Sequence, residues 1–229
     1  MKRKIITVLI SFGISISLLV LYVTYLFMSS STISRGQPIA EYDQPTSALL
    51  VIDIQEGTTG EKSITEGYVQ QSESFIQKVN AAIDWADSSS IQVVYIYHET
   101  TNWLLNIAMQ NVLARGSHGA EIDQRIKIVS DNLFSKHKMD AFSNPALDAF
   151  LLKNKVNKIY AVGLDAAYCV NKTVFAAQNR GFHVTVIEDA IISEKETKKI
   201  EMIDKFKSAG IEIIQSSDLF LPKPEQDQL

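Results

Sequence analysis

Apolar runs of strand length alternate with amphipathic segments of helical period, and this alternation limits the fold more than any other feature of the chain. Residues 48–52 form a continuous apolar run, as expected of a strand covered on both faces. Between 69 and 86, apolar residues recur every three or four positions, which is typical of a long amphipathic helix. Further strands are predicted at 91–97, 158–162, 182–187 and 211–214, with short candidates at 126–129 and 133–134. This order predicts a three-layer α/β fold, with a mostly parallel sheet and helices on both faces.

Local signals mark where several of the predicted helices begin and end. Asn144 followed by Pro145 is typical of a helix start, because a capping side chain precedes a proline at the first helical position. A helix running on from Cys169 is predicted to stop at Gly181. Residues 193–196 have the capping-box pattern and predict the start of another helix. The stretch 98–124 has weak periodicity and is interpreted as a functional loop with a short helix.

The N-terminus carries 24 consecutive uncharged residues, Ile5 to Met28. A helix over this run would reach about 36 Å, enough to cross a hydrocarbon core of about 30 Å. We therefore predict one transmembrane anchor at 5–28, since the apolar part of a signal peptide is normally about 7–15 residues long. The basic residues 2–4 would stay in the cytoplasm and place the body outside the cell membrane. A cleaved signal peptide is the alternative, and it would make the protein secreted.

The anchor divides the chain into three parts: a stub and anchor at 1–28, a linker at 29–47 and a folded domain at 48–229. The linker is rich in Ser, Gly and Pro and shows no apolar periodicity. Three of the 22 Lys and Arg residues lie in the stub, so the remaining 19 face 26 acidic residues. An acidic body without a basic stripe argues against nucleic acid as a partner.

The only cysteine, Cys169, lies where the predicted strand 158–162 gives way to a helix. Open α/β sheets place reactive groups at such junctions, and a helix N-terminus lowers the pKa of a thiol by favouring the thiolate. A small buried hydrophobe is the alternative interpretation, because free cysteines often serve as core residues. Outside the cytoplasm the thiol has no disulfide partner within the chain, so it is either buried or kept free for chemistry.

Two further ionisable residues follow predicted strands, Asp53 after the first and Lys136 after the short run 133–134. Because the carboxyl ends of parallel strands share one edge of the sheet, we expect Asp53, Lys136 and Cys169 to converge. Together they suit nucleophilic catalysis: the thiolate attacks a carbonyl, the carboxylate moves the proton and the ammonium stabilises the charges. Taken singly, Asp53 could cap a turn, Lys136 could be solvated and Cys169 could belong to the core.

Three segments resemble the motifs of the isochorismatase-like cysteine hydrolase family, which includes nicotinamidases and related amidases. They are Leu50–Gln55, Lys136–Phe142 and Gly163–Val170, and residues 181–184 and 188–190 also fit. The resemblance spans 48–214 and implies a Rossmann-like hydrolase domain. Within it, Asp53, Lys136 and Cys169 would be catalytic, and the six-residue spacing to Phe142 selects Lys136 over Lys138.

The resemblance also implies a cis peptide between Leu164 and Asp165, which would turn the N–H groups of Asp165 and Cys169 toward one point as an oxyanion hole. Ala166 departs from the pattern, since many members have Thr there. Gln55, Trp103, Phe142 and Tyr168 are candidates for the substrate pocket, with ordinary aromatic core as the alternative for the three aromatic residues.

The histidines argue against a metal site. The related nicotinamidases hold a divalent ion with an Asp-x-His pair and a further His, whereas His98, His118, His137 and His183 are scattered here. His98, beside Glu99, is interpreted as a hydrogen-bonded residue at the end of the second strand rather than a ligand. We therefore expect no metal or other cofactor, and a substrate other than nicotinamide.

The leading hypothesis is a metal-independent cysteine hydrolase that cleaves a small amide or related C–N bond through a thioester on Cys169. One alternative is vinyl-ether hydrolysis of the isochorismatase type, which uses Asp53 and needs no cysteine nucleophile. Another is a catalytically silent binding module at the cell surface. The expected partners are a small-molecule substrate and the membrane, through 5–28, and the family leaves a homo-oligomer open.

Overall fold

A computed structural model describes residues 2–221, and its core is one parallel sheet of six strands. The strands are β1 (Thr46–Ile52), β2 (Gln92–His98), β3 (Leu133–Lys136), β4 (Val156–Leu164), β5 (His183–Ile192) and β6 (Glu212–Ile214). Their order across the sheet is β3-β2-β1-β4-β5-β6, and every neighbouring pair is parallel. The predicted parallel α/β fold is confirmed.

Helices cover both faces of the sheet. The helices are α1 (Lys2–Ser30), α2 (Glu66–Ser88), α3 (Trp103–Ala108), α4 (Pro145–Lys153), α5 (Asn171–Asn179) and α6 (Glu196–Ser208). Apolar residues of α2 pack on one face with Leu49 and Val51, while α4, α5 and α6 pack on the other with Leu50 and Ile52. Both faces of β1 are therefore buried, which is why its sequence is continuously apolar.

The local helix signals had mixed outcomes. The Asn144 side chain accepts from Ala146 N and caps α4, as predicted. The capping box at 193–196 is wrong: Lys195 is the N-cap of α6 without a side-chain cap, and the Ser193 hydroxyl instead donates to Asp165. The helix predicted from Cys169 begins earlier, as a π-helical turn over Ala166–Val170 that continues into α5. Residues 126–129 are irregular chain, not a strand.

Close contact between the two central strands requires a glycine at 163. Gly163 has φ +125, and a Cβ there would lie 2.1 Å from the carbonyl oxygen of Ile52. Any side chain at this position would push β4 away from β1 just before the ends of both strands. Gly163 therefore sets the spacing between the residues that follow the two strands, Asp53 and the 165–170 turn.

The N-terminal helix is long and apolar enough, over Lys4–Ser30, to cross a membrane. The region predicted as a linker, 29–47, runs along the domain and is hydrogen-bonded to it. Ser34 N donates to Asp140 Oδ2 (2.8 Å), and Ile39 N donates to Arg180 O (2.8 Å). These bonds position the C-terminal end of α1 against the domain.

Candidate active site

Asp53 is the first residue after β1, at the centre of the sheet's carboxyl edge. Its backbone is left-handed, with φ 56, a conformation that aspartate tolerates better than most residues. Asp53 N donates to Ile96 O at 2.8 Å, and Thr58 Oγ1 donates to Asp53 O at 2.8 Å. These two bonds hold the turn that places the carboxylate beneath the sheet edge, where only 4% of the residue is exposed.

Lys136 ends β3 and is fully buried, with 1% exposure. Its Nζ lies 2.8 Å from Asp53 Oδ2 and 3.3 Å from Cys169 Sγ, and it donates to Lys138 O at 3.1 Å. Because a buried ammonium is stable only when paired and hydrogen-bonded, these contacts account for its charge. The structure thus brings together the three residues that the sequence motifs predicted.

The pKa directions in this cluster differ from the sequence-based expectation at Cys169. Burial and the Asp53 carboxylate raise the pKa of the thiol, and the Lys136 ammonium only partly offsets them. The expected lowering was wrong, because a helix N-terminus acts weakly compared with burial beside a carboxylate. Burial also raises the pKa of Asp53 against the opposing charge of Lys136. For Lys136, burial lowers the pKa, but Asp53 and Cys169 outweigh it and the net direction is upward.

His98 ends β2 and supplies a neutral neighbour to Lys136. Its Nδ1 lies 3.4 Å from Lys136 Nζ. Burial, with the charge of Lys136 next, lowers the pKa of His98 to about 3, so the ring is neutral. Its Nδ1 can therefore accept a hydrogen bond from the Lys136 ammonium. The interpretation of His98 as a hydrogen-bonded residue at the strand end agrees with this geometry.

Asp165 follows β4, and the Leu164–Asp165 peptide is cis, as the family resemblance implied. The carboxylate is buried and accepts four hydrogen bonds from neutral groups. Oδ1 accepts from Ser193 Oγ (2.7 Å) and Ala167 N (2.6 Å), and Oδ2 accepts from Tyr68 Oη and Glu194 N (2.9 Å each). Ala166 is fully buried and has no polar side chain. The side-chain hydrogen bonds that hold the turn are therefore those of Asp165.

Sequence reasoning missed Tyr68 and Ser193 as members of the site. Tyr68 lies in the first turns of α2, where no motif distinguishes it from any other aromatic residue. Burial, with the Asp165 charge next, raises the pKa of Tyr68, so its hydroxyl stays protonated and donates. Ser193 carried a signal, but its pattern indicated a helix cap.

A cavity of about 580 Å³ lies against the cluster. Asp53, His98, Asp165 and Cys169 give the cavity its polar end, with Leu164 beside them. Its remaining wall is largely apolar and comes from α1, the 57–68 region, α3 and its flanking loops, the segment after β3 and the 166–170 turn. The residues of this wall are Val23, Phe27, Ser30, Gly57, Thr58, Ile64, Thr65, Tyr68, Thr100, Thr101, Asn102, Leu105, Ala108, Met109, Val112, Leu113, His137, Met139 and Tyr168.

Of the four residues predicted for the pocket, Tyr168 is on the cavity wall and the other three lie elsewhere. Phe142 is a core residue, 5.9 Å from the Phe182 ring centroid, because the chain turns inward after Lys136. Gln55 is buried and its amide donates to His98 O and Ala120 O, so it ties β2 to the loop. Trp103 starts α3 and is 68% exposed.

Glu56, Glu61 and His118 form a group of possible metal ligands, and none of the three is on the cavity wall. Glu56 is buried, but its two oxygens already accept from Gln124 N and Glu61 N. His118 is exposed and pairs with Glu121 at 2.7 Å. The metal-free site therefore stays a prediction.

The Isochorismatase domain model matches residues 47–218, and the chain belongs to the isochorismatase family. The resemblance predicted from the three motifs is confirmed. The family is one of hydrolases that includes amidases and nicotinamidase-like proteins.

Individual relatives differ in what is known of their activity. A secreted isochorismatase effector of Verticillium dahliae is 25% identical over 194 residues, which cover 84% of this chain and 95% of that protein. A probable inactive nicotinamidase of Arabidopsis thaliana is 28% identical over 156 residues, covering 62% and 79%. A solved pyrazinamidase of Pyrococcus horikoshii, in complex with zinc, has a TM-score of 0.63 at 25% identity and covers 75% of this chain and 99% of its own.

Proposed function

We propose that the protein is a metal-independent cysteine hydrolase of a small amide or related C–N bond. One observation carries this proposal: the Lys136 ammonium joins Asp53 Oδ2 (2.8 Å) and Cys169 Sγ (3.3 Å) beside a cavity. A carboxylate, a cation and a thiol in contact are the parts needed to form and break a thioester.

Asp53 moves the proton in the proposed reaction. The thiol is protonated at rest, and Asp53 Oδ1 has no hydrogen-bond partner among residues 2–221. As Sγ attacks the carbonyl carbon, the thiol proton passes to Asp53, and Lys136 stabilises the charge on sulfur and carboxylate. Asp53 then protonates the leaving nitrogen when the C–N bond breaks, which leaves a thioester on Cys169.

Water completes the turnover. It loses a proton to Asp53, attacks the thioester carbonyl and releases the acid, while the proton returns to the sulfur. Asp165 and Cys169 are both on the cavity wall, and their N–H groups would hold the oxyanion in each half of the reaction. The cation in this mechanism is the lysine of the chain itself, so activity should survive dialysis against EDTA.

A panel of small amides tests this proposal. Cys169→Ala should reduce kcat/KM by about 10³-fold or more, because no thioester can form. Ser143→Ala, outside the cavity wall, is the control and should be unaffected. Activity that Cys169→Ala leaves unchanged would refute the cysteine mechanism.

The raised pKa of the thiol favours one alternative, vinyl-ether hydrolysis with Asp53 as the acid. A buried carboxyl with a raised pKa is suited to protonate a vinyl carbon. In that reaction Cys169→Ala would retain activity while Asp53→Asn would lose it. A silent binding module would instead bind a ligand without turnover.

For location, we infer that α1 stays attached and anchors the domain outside the cell membrane. The apolar length of Lys4–Ser30 supports an anchor, and a secreted relative supports export. Protein of full-length mass in the membrane fraction, resistant to carbonate extraction, is the expected result. Recovery of a soluble product lacking 1–28 would show cleavage.

A further inference from the structure

The proposed membrane helix forms part of the active-site cavity. Val23 and Phe27, near the C-terminal end of α1, are on the cavity wall, and so is Ser30, the last residue of the helix. The Tyr22 hydroxyl accepts from Asn102 Nδ2 at 3.4 Å, and Ser30 O accepts from Met139 N at 2.9 Å. The cavity therefore lies directly beside the last turns of α1.

The length of α1 places those turns at the membrane boundary. Its apolar segment Lys4–Ser30 has 27 residues and is about 40 Å long, whereas the hydrocarbon core is about 30 Å thick. The surplus is about two turns. Tyr22 and Tyr25 supply the aromatic side chains that are enriched where a spanning helix leaves the bilayer.

The short helix α3 presents a second apolar surface beside α1, since its N-cap Asn102 donates to Tyr22. Trp103 and Ile107 are four residues apart, so they share one face, and they are 68% and 62% exposed. Leu105 and Met109 line the cavity from α3 and its C-cap. An aromatic and an aliphatic side chain pointing outward beside a spanning helix match the membrane interface.

We propose that the cavity opens at the membrane–water boundary and takes a fatty-acyl amide from the bilayer, with the alkyl chain between α1 and α3 and the carbonyl at Cys169. This inference rests on the proposed function and names its substrate class. The apolar outer wall suits the chain, and the polar inner end suits the amide. Water enters the reaction, and a fatty acid and ammonia or an amine leave.

Fluorescence quenching tests the location of α3 without using activity. The chain has two tryptophans, and Trp85 packs edge-on against Tyr160, 4.9 Å between centroids, so it serves as an internal control. Full-length Trp85→Phe and Trp103→Phe proteins are placed in phosphatidylcholine vesicles containing 5-doxyl phosphatidylcholine. Trp103 should be quenched and Trp85 should not. Equal quenching, or none of Trp103, would overturn the membrane location.

A chain-length series tests the substrate class in the same vesicles. Dodecanamide should give a kcat/KM about tenfold or more above that of acetamide, because each added methylene finds apolar wall. Ile107→Ser should lower the ratio of dodecanamide to acetamide activity severalfold. The matched control Ile128→Ser, 51% exposed in the irregular chain before β3, should leave that ratio unchanged.

The outcomes separate the two proposals. Acetamide turned over as well as dodecanamide would overturn the fatty-acyl amide and leave the cysteine amidase in place. An equal change of the ratio in Ile107→Ser and Ile128→Ser would also overturn it. Turnover of neither amide, with Trp103 quenched, would overturn the fatty-acyl amide, and the panel of small amides would then decide the amidase itself.

Discussion

Asp53 and Asp165 are two buried aspartates on one cavity wall, and the chain stabilises them in opposite ways. Asp53 faces a buried cation through one oxygen, and its Oδ1 has no hydrogen-bond partner among residues 2–221. Asp165 forms none of the described ion pairs, yet each of its two carboxylate oxygens accepts two hydrogen bonds.

The difference separates a carboxylate that can exchange a proton from one that holds a turn. A proton acceptor needs an open oxygen and a pKa that protonation can reach, and burial raises the pKa of Asp53. Each oxygen of Asp165 already accepts two hydrogen bonds, which leaves neither oxygen open to a reacting group. We therefore interpret Asp53 as the reactive carboxylate and Asp165 as the positioning one.

Between the two aspartates, the larger effect is expected from Asp53→Asn. The variant loses its proton acceptor and leaves the Lys136 ammonium buried without a counter-charge. We expect kcat/KM to fall about 10³-fold and the free energy of unfolding to fall by about 3 kcal/mol. Kinetics and urea unfolding measure the two, with exposed Asp131→Asn as the control. Retained activity would contradict the role of Asp53.

Asp165→Asn should cost stability and a smaller part of the activity. Whichever side the new NH₂ occupies, it faces a backbone donor, Ala167 N or Glu194 N. We expect a loss of about 2–4 kcal/mol in the free energy of unfolding, and a fall in kcat of about 10- to 100-fold. Asp189→Asn is the control, because Asp189 accepts from the N–H and hydroxyl of Ser216 outside the cavity wall. A loss of activity equal to that of Asp53→Asn would erase the distinction.

The pH profile tests the cation that Asp53 has and Asp165 lacks. Turnover requires ionised Asp53, so kcat/KM should fall as pH drops through its pKa. Lys136 lowers that pKa, so Lys136→Gln should move the acid limb to higher pH. Asp165→Asn and the exposed control Lys138→Gln should leave the limb in place. An acid limb that does not move in Lys136→Gln would contradict the assignment.

The smallest effect is expected from Ser193→Ala. It removes one neutral donor from Asp165 Oδ1, while Ala167 N remains. Unfolding should become easier by about 1 kcal/mol, with kcat changed only a few-fold. Ser216→Ala makes the same change at Asp189 and should leave kcat unaltered. A large loss of kcat in Ser193→Ala would assign Ser193 a direct role.

Much of the fold was predictable because periodicity reports burial. Residues 48–52 are apolar on both faces and lie in the middle of the sheet, and Asn144 caps the helix that its sequence indicated. The convergence of Asp53, Lys136 and Cys169 followed from parallel strands sharing one edge. The strand predicted at 126–129 was wrong: Ile126 packs on the core, but Ile128 and Val129 are exposed, and the segment pairs with none of the described strands.

The sequence by itself determined the parallel α/β domain, its family and the three residues at the sheet edge, because all of these depend on local pattern and strand order. Only the tertiary structure decided the donors of Asp165, the burial of Phe142, the contact of α1 with the cavity and the raised pKa of Cys169. Each of these depends on side chains far apart in sequence. A pKa in particular sums burial and charge over every neighbour in space, and the sequence near Cys169 contains neither Asp53 nor Lys136.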